Sequence, residues 1–269
     1  MSESNITDWH KISDVPALKP FEIHLWRINL ERPEADESRL YYCLSAEECD
    51  RAARFHYIRD RKNFLIRRSV LRHLLASYQG VNAKIVRLSA APNGKPFMEG
   101  QDSPAGIRFS CSHSDSWGLI AIGRGCELGV DLERHRPLAD LLDLANACFS
   151  DQEIGEFRGI PEALKPHCFF DAWTRKEAFL KAIGLGLSFA LKDFSVSLAP
   201  DQPAKLLNVK NDLTAVDRWK MLSLEVNPDY SAALVVEDVP ASLRCFEWNF
   251  SSLIHQSKSE CLQKKSDQP

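Results

Sequence analysis

The chain predicts an α+β fold built from two similar α/β halves, packed as a pseudo-twofold internal duplication with an active-site cleft between them. Three observations carry this expectation. Each half opens a short helix on a Ser-x-x-Glu capping box, Ser45 to Glu48 and Ser150 to Glu153, set 105 residues apart. Each then carries a long helical segment stopped by a glycine, Gly80 and Gly184, set 104 apart. Finally, Trp117-Gly-Leu-Ile-Ala-Ile122 is matched by the apolar run Tyr230-Ser-Ala-Ala-Leu-Val-Val236 at an offset of 113.

Taken in order, residues 1–20 lack periodicity and read as a loose arm. Phe21–Ile28 alternates apolar and polar positions, which suits a strand. The Ser45 box opens a helix toward Phe55. A longer helix covers about Asp60–Tyr78, with Phe64, Leu71, Leu75 and Tyr78 on one face. Strands are expected at Ile85–Ser89, Ile107–Cys111, Gly118–Ile122 and Leu128–Leu132. In the second half a helix covers about Pro166–Ile183. Strands follow at Phe194–Leu198, Trp219–Val226, Ala232–Glu237 and Leu243–Trp248. The segment Leu138–Phe149, rich in Leu and Ala, suits either core or a docking surface. The expected units are therefore the arm 1–20, halves 21–125 and 126–250, and a polar tail 251–269.

Composition bounds the function. With 269 residues, 44% hydrophobic and 26% charged, the chain is an ordinary globular protein. No apolar run approaches the roughly 20 residues that span a bilayer, and the polar, acidic start is unlike a secretory signal. A net charge of −3 argues against a nucleic-acid partner. The eight cysteines include no C-x-x-C pair, so reduced thiols and a cytoplasmic location are expected.

Four segments carry chemistry. In Gly129-Val-Asp-Leu-Glu133, apolar residues at 128, 130 and 132 share one strand face, which puts Asp131 and Glu133 together on the other. Two such carboxylates repel unless a cation sits between them, and oxygen-only ligands suit Mg²⁺; a solvated strand face is the plainer alternative. In Phe169–Gly184, helical spacing places Trp173, Lys176, Glu177, Leu180, Lys181 and Gly184 near one side. Glu177 and Lys181 form either a surface i,i+4 pair, worth a few tenths of a kcal/mol, or a ligand and base beside a cation. Pro92-Asn-Gly-Lys95-Pro96 is a turn projecting a lysine. Phe109-Ser-Cys-Ser-His113-Ser114 offers hydroxyls and a histidine to a phosphate; no nucleophile-elbow pattern surrounds it.

In this order, Asn-Gly-Lys-Pro, Phe-x-x-Ser-His-Ser, Gly-Val-Asp-Leu-Glu and Trp-x-x-Lys-Glu-Ala-x-x-Lys closely resemble the surfactin-type 4′-phosphopantetheinyl transferases. The 42 residues from Asp131 to Trp173 also fit. The resemblance implies transfer of the phosphopantetheine arm of coenzyme A to a serine of an acyl or peptidyl carrier protein, with release of 3′,5′-ADP. It implies that Asp131, Glu133 and Glu177 hold Mg²⁺, that Glu177 accepts the serine proton, and that Lys181 neutralises the leaving phosphate. Lys95, Ser112, His113 and Lys176 would hold coenzyme phosphates, with Arg51 and Arg68 offered for the 3′-phosphate among several competing arginines. The family often has Asn where this chain has Ser110. A monomer is expected, with no membrane or nucleic-acid partner. The competing readings are another Mg²⁺-dependent phosphohydrolase and a non-catalytic binder of coenzyme A or carrier protein.

Overall fold

The computed structural model describes residues 8–12, 14–31, 37–92, 94–101, 103, 105–186, 189–199, 202–238, 240 and 242–250. In chain order these form β1 (His10–Lys11), β2 (Glu22–Asn29), α1 (Glu37–Tyr41), α2 (Ala46–Ala53) and α3 (Ile58–Gln79). Next come β3 (Leu88–Ala90), β4 (Pro96–Met98), β5 (Ile107–Ser114), β6 (Trp117–Arg124) and β7 (Leu128–Arg134). Then follow α4 (Leu141–Cys148), α5 (Asp151–Gly159), α6 (Lys165–Ile183), β8 (Phe194–Val196) and β9 (Leu206–Val209). The last described elements are α7 (Ala215–Arg218), β10 (Trp219–Ser223), β11 (Tyr230–Glu237) and β12 (Ser242–Glu247).

The fold is mixed α+β and stacks as helix, sheet, sheet, helix. A five-stranded sheet runs β1-β12-β2-β6-β5 and a three-stranded sheet runs β10-β11-β7. Strand alternation decides what lies between the layers. On β2, Trp26 and Ile28 face α3, where they join Leu71 and Leu75 in one core. Ile23 and Leu25 point the other way and meet Leu128, Val130 and Leu132 of β7 in a core between the sheets. Beyond the second sheet, Ala233 and Val235 pack with Phe179 of α6. Burying a side chain of this size contributes about 1.5–3 kcal/mol, so three separate cores lock the layers together.

Both capping boxes form: Ser45 and Ser150 each accept from the N–H three residues on, and Glu48 and Glu153 each return a carboxylate to the cap. Gly80 and Gly184 end α3 and α6 in the left-handed region.

Several expectations need correction. The arm is anchored within its described part, because β1 pairs with β12 and Trp9 Nε1 donates to the Glu225 carbonyl at 2.7 Å. The strand expected to close the second half, β12, instead lies parallel to β2 in the first sheet, so residues 242–247 belong structurally with the first half. At Ile85–Ser89 only the end is a strand. Asn82 caps a 3₁₀ turn over Ala83–Ile85, its side chain accepting from Lys84 N–H, and the turn consumes the residues that read as extended. The β3–β4 hairpin, β9 and α4 carry too short a pattern to be read in advance. α4 turns Ala145 and Cys148 inward and leaves Leu142 and Leu144 exposed, so it serves the core and still presents leucines to solvent. The described cysteines are all unpaired. No described helix is long and apolar enough to cross a membrane. Residues 1–7 of the arm, Asn93 of the lysine turn and the tail 251–269 lie outside the described residues.

Candidate active site

The site begins with a missing side chain. A Cβ on Gly129 would lie 2.1 Å from the Ala178 carbonyl oxygen and 2.4 Å from the Ala182 amide nitrogen. Only glycine lets β7 and α6 touch backbone to backbone here. That contact brings Asp131, two residues along β7, against Lys181 on α6. The Lys181 ammonium donates to Asp131 Oδ1 at 2.6 Å, to Ser112 Oγ at 3.1 Å and to the Val130 carbonyl at 3.2 Å. Ser112 adds its own hydrogen bond to Asp131 Oδ1 at 2.7 Å. Two residues further on, Glu133 Oε2 accepts from Ser114 Oγ at 2.8 Å.

Glu177 lies one helical turn before Lys181 and lines an open cleft with Lys95, Phe109, Ser110, Lys181 and Gly184. Partial burial raises the Glu177 carboxyl above the usual carboxylate range, and the charges of Asp131 and Glu133 push the same way. Glu133 is raised too, chiefly by burial, with Asp131 adding to it. Burial and the neighbouring negative charge thus disfavour the ionised forms of Glu133 and Glu177.

The donor set is all oxygen, as a hard divalent cation requires. Asp131 Oδ2 is buried and has no hydrogen-bond partner, an arrangement that costs free energy unless something positive meets it. Among the described residues no three His, Cys, Asp or Glu side chains already stand in coordinating positions, and Lys181 holds the other Asp131 oxygen. The chemistry of these residues fits Mg²⁺.

A basic cluster lies on the face of β5 opposite the serines that meet β7. Arg67 Nη1 donates to His113 Nδ1 at 3.2 Å, which leaves the imidazole proton on Nε2. Partial burial, then the Arg67 guanidinium and the Lys181 ammonium, lower the His113 pKa to about 4. The histidine that the sequence offers to a phosphate is therefore a neutral donor, and the positive charge beside it is that of Arg67. Burial brings Arg67 itself down to about 10, with Arg68 and Arg51 adding repulsion, so three guanidiniums share this corner. Arg51 lies over the Phe64 ring, and Arg68 is paired to Glu48 at 3.1 Å. The spacing of Arg67 from His113 carries no sequence signal, because the two meet only through the packing of α3 against the first sheet. Lys95 projects from its turn as expected and donates to Glu127 Oε2 and the Ala182 carbonyl, both at 3.1 Å.

Lys176 is a clear correction. Its ammonium is fully buried on the far side of α6, donating to Glu153 Oε2 at 2.5 Å and to the Phe194 carbonyl at 2.7 Å. Trp173 turns the same way and stacks on Phe169. Residues 176 and 177 are about 100° apart around the helix, which is enough to turn the lysine into the core and leave the glutamate in the cleft. Ser110 finds its place in the sheet seam, its Oγ accepting the Val130 N–H at 3.1 Å.

Acidic, basic and hydroxyl groups converging on one cleft are the equipment of an enzyme that moves phosphate esters. Residues 127–235 match the family model described as "4'-phosphopantetheinyl transferase superfamily", and residues 29–124 the one described as "4'-phosphopantetheinyl transferase, N-terminal". The 4'-phosphopantetheinyl transferase HetI of Nostoc is 36% identical over 80% of this chain and 87% of its own length. The putative 4'-phosphopantetheinyl transferase slr0495 of Synechocystis is 31% identical over 67% and 71% of the two chains. Sfp of Bacillus subtilis is 28% identical over 66% and 77%. The chain belongs to the 4′-phosphopantetheinyl transferase family.

Proposed function

We propose that this enzyme transfers the 4′-phosphopantetheine arm of coenzyme A to a serine of an acyl or peptidyl carrier protein and releases 3′,5′-ADP. The observation that carries the site is the convergence of Asp131, Glu133, Glu177 and Lys181 where β7 touches α6, with Arg67 and His113 paired on the other face of β5. Asp131, Glu133 and Glu177 would hold Mg²⁺, which would supply positive charge to offset that of the coenzyme's diphosphate. Lys181 and Ser112 fix Asp131 from one side, leaving the buried Oδ2 for the cation. Glu177, held above the ordinary carboxylate range, is the base that accepts the carrier serine's proton. Lys181 then stabilises the departing phosphate. Arg67 with the Nε2–H of His113 grips the diphosphate. Arg51 and Arg68 extend the basic surface toward the 3′-phosphate, and Lys95 closes the lower rim of the cleft. Such catalysis is positioning and electrostatic stabilisation, with little covalent work for the protein.

The two halves are read as a duplication, 21–125 and 126–250, except that β12 returns to the sheet of the first. Strands β2, β6 and β5 run in the same order in their sheet as β7, β11 and β10 do in theirs, and a capped helix plus a long glycine-ended helix follows the first strand of each set. The proposed groups need no residue from a second copy, which favours a monomer, and the unpaired thiols among the described residues suit a reducing cytoplasm. The test is release of 3′,5′-ADP from coenzyme A, followed by chromatography with and without an apo carrier protein. Release that needs both carrier and Mg²⁺ supports the transferase. Release without carrier points to a hydrolase, and none at all points to a binder.

A further inference from the structure

β5 and β7 are edge strands of different sheets, and no backbone ladder joins them. Serines take its place. Ser110, Ser112 and Ser114 alternate along β5 and therefore share one face. Ser110 Oγ accepts Val130 N–H at 3.1 Å, Ser112 Oγ donates to Asp131 Oδ1 at 2.7 Å, and Ser114 Oγ accepts Arg134 N–H at 3.0 Å. Each rung satisfies a backbone or carboxylate group of the neighbouring sheet.

Ser114 does one thing more. Its oxygen is engaged by the Arg134 amide, and its single proton is directed to Glu133 Oε2 at 2.8 Å. The hydroxyl cannot swing away without losing both bonds, so the Glu133 carboxylate is pinned through one oxygen while Oε1 takes no part in that bond. The next residue, Asp115, sits in the left-handed region at φ 48° and binds the guanidiniums of both Arg59 and Arg134. That directs the Arg134 charge to Asp115, so the hydrogen bond to the carboxylate beside it comes from Ser114, with the Arg136 guanidinium standing off at 4.0 Å from the same oxygen.

We propose that Ser114, on the first sheet, is the positioning residue that sets Glu133, on the second sheet, for cation binding. The proposal rests on Glu133 being a cation ligand, and the experiment separates the two claims. Mn²⁺ is titrated into the full-length protein with coenzyme A, and free ion is read by electron paramagnetic resonance. Thermal melts verify that each variant is folded. Asp131→Asn should abolish Mn²⁺ uptake. Ser114→Ala should weaken it roughly tenfold, the scale of losing an outer hydrogen bond to a ligand. Ser114→Thr, which keeps the hydroxyl, should stay within about twofold of the parent, and KM for coenzyme A at saturating metal should not move in either variant. If Ser114→Ala melts early, Ser114→Cys replaces it with the same expected weakening. Parental affinity in Ser114→Ala, or equal weakening in the threonine variant, overturns the positioning role while leaving the cation site intact. No Mn²⁺ uptake by the parent removes the cation reading itself, and the proposal with it.

Discussion

Lys176 shows how a single residue's neighbours decide its role. In sequence it stands one position from Glu177, inside the motif that marks the family. In the fold it is enclosed with Glu153, both side chains at 0% exposure, and burial lowers its pKa. A buried ion pair is weak evidence of net stabilisation, yet removing one partner leaves the other uncompensated at about 3–5 kcal/mol. Lys176→Ala should therefore lower the unfolding free energy by an amount of that order, read as a drop in the denaturant midpoint at unchanged m, while any folded fraction keeps its KM for coenzyme A. A raised KM with unchanged stability would return Lys176 to the cleft. Asp131, Glu133, Glu177 and Lys181 were legible from sequence because strand and helix periodicity fixes their shared faces. Arg67 was not. Its tie to His113 depends on how α3 lies across the first sheet, which neither segment records.

At the scale of elements, the β7–α6 contact sets the site. Gly129→Ala would force apart two backbones that a Cβ would meet at 2.1 Å. Overpacking of this kind costs about 1–3 kcal/mol, and the displacement would separate Asp131 from Lys181. The variant should melt lower and lose most of its turnover; a fully active, equally stable Gly129→Ala enzyme would contradict this account of the seam. The carboxylates give a second expectation. Glu133 and Glu177 have folded-state pKa values raised above their unfolded ones. Their contribution to stability is thus present below the ordinary carboxylate range and lost as pH rises through the raised values. Repulsion is then greatest at neutral pH, where a cation that binds only the folded state stabilises most. Mg²⁺ should raise the melting temperature at neutral pH and much less near pH ~4.5. An equal effect at both, or none, would detach these carboxylates from the cation.

For the whole molecule, the sequence conveyed the α+β class and the paired capped helices, since capping boxes and glycine stops are local chemistry. It did not convey that β12 crosses back to lie between β1 and β2, or that β1 exists at all. Parallel pairing between strands separated by the whole chain leaves no local trace. The crossing matters for function, because it ties the end of the second half to the sheet whose far edge, β5, presents the serines to the carboxylates. Neither sheet holds a complete site. The measurement that bears most directly on the central claim is the intact mass of an apo carrier protein after incubation with this enzyme, coenzyme A and Mg²⁺, beside an EDTA arm and an Asp131→Asn variant. The account predicts a gain of one phosphopantetheine on a carrier serine, absent from both controls. An unmodified mass across fatty-acid, polyketide and peptide carriers, with the coenzyme intact, would contradict it.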